Sequence, residues 1–130
     1  MIVRFTVLLL CGVGLYASAF MLRKTLRGAR GELAEPSVVQ TPRARALGGT
    51  PNAAVGLAYY ACLAAATLFF SWPPAWWAAL AASLGAAAFS AYLAYSLLFV
   101  TRMPCVYCWT SHVVNWLLPV LVFLGGAHPP

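Results

Sequence analysis

The chain has 130 residues, of which 63% are hydrophobic and 8% are charged, and its formal net charge is +6. A soluble domain carries roughly 25% charged residues to cover its surface. The composition therefore excludes a water-soluble globular protein and predicts one membrane domain, residues 1–130, with lipid as its main solvent.

The first apolar run covers residues 2–22 and is interrupted by Arg4 alone. A helix of that length rises about 31 Å, which matches a bilayer core of about 30 Å. Arg23 and Lys24 follow the run as a stop-transfer flank would. We therefore predict a retained transmembrane helix and not a cleaved signal peptide.

A basic loop, residues 23–51, is predicted next and holds six of the eight Lys/Arg residues. Its proline and glycine content predicts little regular structure. The cluster has no interleaved aromatic side chains, so we expect no nucleic-acid binding. It is interpreted as a topology-setting loop, or as a surface for anionic lipid head groups or for an acidic partner.

Three further helices are predicted over residues 52–72, 75–100 and 105–124. Thr50 and Pro51 have the residue types of a helix cap and a first helical position. Pro119 predicts a kink in the last helix, which we expect to end before Gly125. The predicted fold class is an all-α integral membrane four-helix bundle, with the basic loop and the start of the fourth helix on one side.

Cys105 and Cys108 form a Cys-x-x-Cys pair at the start of the fourth helix. Residues three apart on a helix share a face, so the two thiols can close a disulfide or act together on one substrate. The helix start stabilises a thiolate at Cys105, and Cys108 lies about one turn deeper. The alternative is a pair of small packing residues, which is how we interpret Cys11 and Cys62.

Polar residues near this pair are further candidates. His112 shares the face of Cys108, so Cys105, Cys108 and His112 could ligate a soft metal. His112, Asn115 and Asn52 could instead supply hydrogen bonds to a bound molecule, because polar groups at membrane depth usually face the bundle interior. Alternatively, Asn115 could hydrogen-bond a neighbouring helix, and Asn52 could hydrogen-bond backbone amides at the start of its own helix.

Two stretches resemble the vitamin K epoxide reductase family. The run GTPNAAVGLAYY (49–60) is similar to the family pattern Gly-x-Pro-Asn-x-x-x-Gly-x-x-x-Tyr. The run AYLAYSLLF (91–99), followed by CVYCWTS (105–111), is similar to the family's third helix and active-site Cys-x-x-Cys. The resemblance implies a four-helix membrane fold that couples thiol–disulfide exchange to quinone reduction.

The resemblance also implies roles for individual residues. Cys108 would be the inner cysteine that reacts with the quinone, and Cys105 the outer cysteine that exchanges with a thioredoxin-like thiol protein. Asn52 would hydrogen-bond a quinone oxygen. His112 stands where the family often has a pocket tyrosine, and it would be able to donate a hydrogen bond there.

The chain departs from the family in the loop after the first helix. The family carries two cysteines there, whereas this sequence has none between Cys11 and Cys62, and Pro36 stands where one would be. Either a partner thiol reaches Cys105 directly, or the scaffold serves as a non-catalytic subunit among other membrane subunits.

Two features of the sequence give opposite predictions for the side of the membrane on which the cysteine pair lies. The family places the loop and the Cys-x-x-Cys on the exoplasmic side. The loop and Arg102 together carry seven Lys/Arg against Arg4 on the other side, a bias that predicts a cytoplasmic loop. In either orientation we expect a multi-pass protein of a bacterial inner membrane.

Overall fold

The computed structural model describes residues 1–34, 40, 42, 49–103 and 105–127. Residues 35–39, 41 and 43–48 of the basic loop, including Pro36, lie outside the described residues. The described part of the chain forms helices and no strand: α1 (Ile2–Ala29), α2 (Asn52–Thr67), α3 (Pro73–Tyr95) with a π-helical continuation (Ser96–Thr101), and α4 (Val106–Ala127). The predicted all-α four-helix bundle is confirmed.

Three of the helices are long and apolar enough to cross a membrane: α1, α3 with its continuation, and α4. The chain is therefore a multi-pass membrane protein. α2 has 16 residues, which rise about 24 Å, so it is shorter than a bilayer core of about 30 Å.

α1 extends seven residues beyond its predicted end at residue 22, so the loop predicted to start at Arg23 begins after Ala29. This segment contains no proline and is rich in Arg, Lys and Leu, which favour helix. Basic side chains near the end of a helix also interact well with its dipole. Helical geometry stops before Gly31, which adopts the left-handed conformation with φ 73°.

α2 begins at Asn52 as predicted, but its cap residue is Pro51 and not Thr50. The helix ends at Thr67 and not at residue 72. Beyond it, the N–H groups of Leu68 and Phe69 donate to carbonyls three residues back, at 3.2 and 2.9 Å, which tightens the last turn.

The chain then turns into α3, which starts at Pro73 and not at residue 75. A proline disfavours helical geometry in the residue before it, and Trp72 is extended, with φ −93° and ψ 113°. Phe70 anchors the turn, because it is buried in the core.

α4 continues through Pro119 and past its predicted end at residue 124 to Ala127. A glycine is needed at position 126, because a Cβ atom there would collide with the indole of Trp76. The Trp76 Nε1–H donates to the Val122 carbonyl oxygen at 2.8 Å. Close packing against Trp76, and not helix termination, therefore explains the glycine at position 126.

α1 packs along α2 and α4, and α4 packs along α3, whereas α2 and α3 meet at few places. Cys11 is buried in the core, as expected of a packing residue, but Cys62 is exposed on α2 and the packing prediction for it is wrong. The buried core comprises Val7, Cys11, Tyr60, Leu63, Phe70, Ala79, Val114, Leu118 and Val122.

Candidate functional site

A cavity of about 370 Å³ lies between the four helices, in the half of the bundle next to the cysteine pair. Its walls are the second half of α1, the first half of α2, the second half of α3 and the first half of α4. Small-molecule sites in proteins typically occupy about 300–1,000 Å³. The cavity is therefore large enough for one small-molecule ligand.

α4 contributes a polar face to this cavity. Cys108, Ser111, His112 and Asn115 all line it, and their spacing of three, four and seven residues places them on one side of a helix. Asn52, the first residue of α2, lines the same cavity. The structure thus brings together four of the five predicted site residues.

The fifth, Cys105, lies just before α4 and does not line the cavity. Its sulfur is joined to that of Cys108 in a disulfide, with a Cα–Cα distance of 5.2 Å. The Cys108 N–H donates to the Cys105 sulfur at 3.2 Å. Cys105 borders an outer groove between α1 and α4, and its sulfur lies 3.9 Å from Met21 Sδ. The disulfide therefore joins a cysteine that lines the cavity to one that borders a groove on the outer surface of the bundle.

Asn115 sits in a hydrogen-bond chain that ties three helices together. The Tyr60 hydroxyl donates to Asn115 Oδ1 at 2.6 Å, and Asn115 Nδ2 donates to Ser90 Oγ at 2.6 Å. Such bonds between helices replace water for polar groups at membrane depth. The Asn115 side chain thus has a structural task in addition to lining the cavity.

His112 and Tyr59 each have a buried polar atom without a hydrogen-bond partner among the described residues. His112 is 5% exposed, and within the described part of the chain neither its Nδ1 nor the Tyr59 hydroxyl has a hydrogen-bond partner, although both atoms are buried. Both residues line the cavity. A buried polar atom without a partner is costly, so a polar group on a ligand in this cavity would be stabilised by either atom.

The His112 ring is held in place by two indoles. Its centroid lies 6.2 Å from that of Trp116, in a stacked arrangement, and 5.9 Å from that of Trp109, edge to face. These contacts restrict the orientation of the imidazole.

Within the described residues no group of three His, Cys, Asp or Glu side chains is placed to hold a metal ion. Cys108 and His112 share the cavity, but Cys105 borders the outer groove. The geometry gives no support to a soft-metal site made from these three residues.

Three residues were missed as site residues from the sequence: Tyr59, Tyr60 and Ser90. Tyr59 and Tyr60 follow Asn52 by seven and eight residues, a spacing that places them on its side of the helix, and this was the available signal. Tyr60 packs so closely on α1 that a Cβ at Gly14 would lie 2.5 Å from its ring. Nothing local in the sequence around Ser90 indicates its bond to Asn115.

Comparison with known proteins gives one family. The model of the vitamin K epoxide reductase family matches residues 5–123 of the chain. No curated protein matches.

Proposed function

The chain belongs to the vitamin K epoxide reductase family, and from this premise we propose that it is a thiol–disulfide oxidoreductase of a bacterial inner membrane that passes electrons from a dithiol protein to a quinone. Cys105 and Cys108 are the redox-active pair. Cys105 exchanges with the partner, and Cys108 faces the quinone.

The observation that carries the proposal is the placement of the two sulfurs. Cys108 lines the cavity together with Asn52, His112 and Tyr59, whereas Cys105 borders an outer groove. A ligand in the cavity would meet the inner sulfur, and a protein outside would meet the outer one. This division suits a pair that takes electrons from one substrate and gives them to another.

The cavity has side chains that suit both the apolar parts and the oxygen atoms of a quinone. Its apolar lining, which includes Phe89, Leu93 and Leu97, favours an aromatic ring and its hydrocarbon tail. The Asn52 amide, the Tyr59 hydroxyl and the His112 imidazole are side chains that can hydrogen-bond the ring oxygens. A quinone supplies a two-electron, two-proton acceptor for the reduced cysteine pair.

The electron balance needs no other reagent. The partner dithiol loses two electrons and two protons and becomes a disulfide, while Cys105 and Cys108 become a dithiol. The pair then closes its disulfide again, and the quinone becomes a hydroquinone. The absence of cysteines between Cys11 and Cys62 means that the partner must react with Cys105 itself.

Purified full-length protein, a reduced dithiol peptide and a short-tailed quinone provide the test, with quinone reduction followed by absorbance. We expect Cys108→Ala to reduce the rate to that of the protein-free mixture, because the sulfur in the cavity is lost. Cys62→Ala, which removes an exposed free cysteine, is the matched control and should retain the wild-type rate.

Equal rates for wild type and Cys108→Ala would refute the proposal. Such a result, together with co-purification of stoichiometric membrane subunits, would favour the alternative of a non-catalytic subunit on the same scaffold.

A further inference from the structure

The Cys105 sulfur lies against α1, close to the point where the basic residues at the C-terminal end of that helix begin. Cys105 Sγ is 3.9 Å from Met21 Sδ, and the Phe20 ring stacks on Tyr107 with centroids 4.0 Å apart. These contacts fix residues 20–21 of α1 beside the start of α4. Because α1 continues to Ala29, the next two turns of the helix extend beyond the disulfide.

Those turns are basic. Lys24 follows Met21 by three residues and therefore lies one turn further on the same face. The Cα–Cβ bond of a helical residue leans toward the helix N-terminus, so the first bond of the Lys24 side chain points toward the Met21 turn. Arg23 is its exposed neighbour, and Arg102, also exposed, precedes Cys105 by three residues. We call Arg23, Lys24 and Arg102 the basic rim.

The charge of the rim is not neutralised by the described residues. Glu32 lies 3.9 Å from Arg27 and 3.4 Å from Arg30, and no ion pair in the described part of the chain involves a residue of the rim. The chain contains two acidic residues in total. Most of the positive charge at this end is therefore available to a partner.

We propose that the basic rim docks a thiol protein that carries carboxylates beside its reactive cysteine, and that Lys24 stabilises the thiolates formed during exchange at Cys105. This inference rests on the proposed function, because it assigns the partner side of the same disulfide. A protein partner is favoured over lipid because the basic residues begin within one helical turn of Met21, which contacts the sulfur that a partner has to reach.

The exchange itself balances. The partner thiolate attacks Cys105 Sγ, the Cys105–Cys108 bond breaks, and Cys108 Sγ takes the electron pair and a proton from the partner's second thiol. That second sulfur, now a thiolate, attacks the mixed disulfide, and Cys105 leaves as a thiolate that takes the remaining proton. Negative charge is shared among sulfurs at each attack, so a nearby ammonium group lowers its cost.

Two synthetic dithiol peptides test the docking. They have the same Cys-x-x-Cys core and differ in flanking residues, which are aspartate in one and lysine in the other. Oxidised full-length protein is mixed with each, and reduction of its disulfide is followed by alkylation and mass measurement without any quinone. We expect the acidic peptide to react at least tenfold faster at low salt, and the difference to collapse near 1 M salt, where the Debye length is about 3 Å.

Charge reversal supplies the controls. The double variant R23E/K24E should invert the peptide preference, and R23Q/K24Q should weaken it, because Arg102 remains. R4E, at the other end of α1, should leave the preference unchanged. Circular dichroism establishes that each variant is folded.

Equal reaction of the two peptides with wild type, or an unchanged preference in R23E/K24E, would overturn the proposal. If the double variant instead changes only binding to phosphatidylglycerol vesicles relative to phosphatidylcholine vesicles, the rim serves the membrane surface and the proposal also fails. Because no quinone is present, this result is independent of whether Cys108 reduces one.

Discussion

The half of the bundle that contains the start of α1 and the end of α2 is filled by side chains, whereas the half next to Cys108 encloses a cavity. In the packed half, Phe70 and Trp76 occupy the space between helices, and Trp76 bonds the α4 backbone. In the cavity half, α3 presents Ala82, Gly85 and Ala86 to the same space. The same four helices thus build a core or a binding site depending on side-chain volume.

This difference separates stability from function along each helix. The packed half has close contacts and few polar groups, so substitutions there should change the free energy of unfolding. The cavity half carries polar atoms that have no hydrogen-bond partner in the part of the chain that the structure describes, so substitutions there should change ligand binding more than stability.

The largest effect on stability is expected in the packed half. Leu118 is fully buried, and Leu118→Ala should lower the free energy of unfolding by about 2 kcal/mol, the low end of the usual range, because lipid solvates apolar groups in the unfolded reference. Denaturant titration in detergent, followed by circular dichroism, measures the loss. The quinone reduction rate per folded molecule should stay at the wild-type value, and a tenfold fall in that rate would contradict the division.

A substitution that fills the cavity should lower the rate of quinone reduction without lowering stability. A Cβ at Gly85 would meet no atom within 4 Å, so Gly85→Leu should place its side chain in the cavity without a clash. We expect quinone reduction to fall at least tenfold, equivalent to about 1.4 kcal/mol, and stability to rise slightly because glycine disfavours helix.

Gly12→Leu is the matched control for that substitution. Gly12 also has open space around its Cβ position but does not line the cavity, so the variant should gain stability and keep full activity. Equal loss of activity in both variants would show that the cavity is not the quinone site.

The smallest effects are expected from two adjacent tyrosines. Tyr60→Phe removes the hydrogen bond to Asn115 and should cost about 1 kcal/mol of stability. Tyr59→Phe removes a hydroxyl without a protein partner in the described part of the chain. It should leave stability unchanged and raise the KM for quinone a few-fold. A loss of stability in Tyr59→Phe together with a raised KM in Tyr60→Phe would contradict these roles.

Much of the fold was predictable, because lipid demands long apolar helices and the sequence separates them with prolines and charges. Two of the predicted helix bounds failed because tertiary contacts dominate there. α2 ends early so that Phe70 can enter the core, and α4 runs through Gly125 and Gly126 because Trp76 packs against it. α1 runs on through its basic residues because nothing in that segment stops a helix.

The candidate site was predictable only in part. Asn52, Cys108, His112 and Asn115 were expected from their residue types, and the cavity that they line depends on how each helix is rotated about its axis. In an amphipathic helix the apolar stripe indicates that rotation. Here nearly every face is apolar, so hydrophobic periodicity does not distinguish Tyr59 and Tyr60 from the residues that face lipid, and only their spacing from Asn52 indicates their side of the helix.

The sequence by itself determined that the protein is a helical membrane bundle with a Cys-x-x-Cys at the mouth of its last helix, because composition and local spacing suffice for both. The sequence also suggested an inner Cys108 and an outer Cys105, but tertiary structure alone decided that a cavity lies beside Cys108 and that Asn115 bonds residues 55 and 25 positions away in the chain. Those facts depend on contacts between helices, which local sequence does not encode.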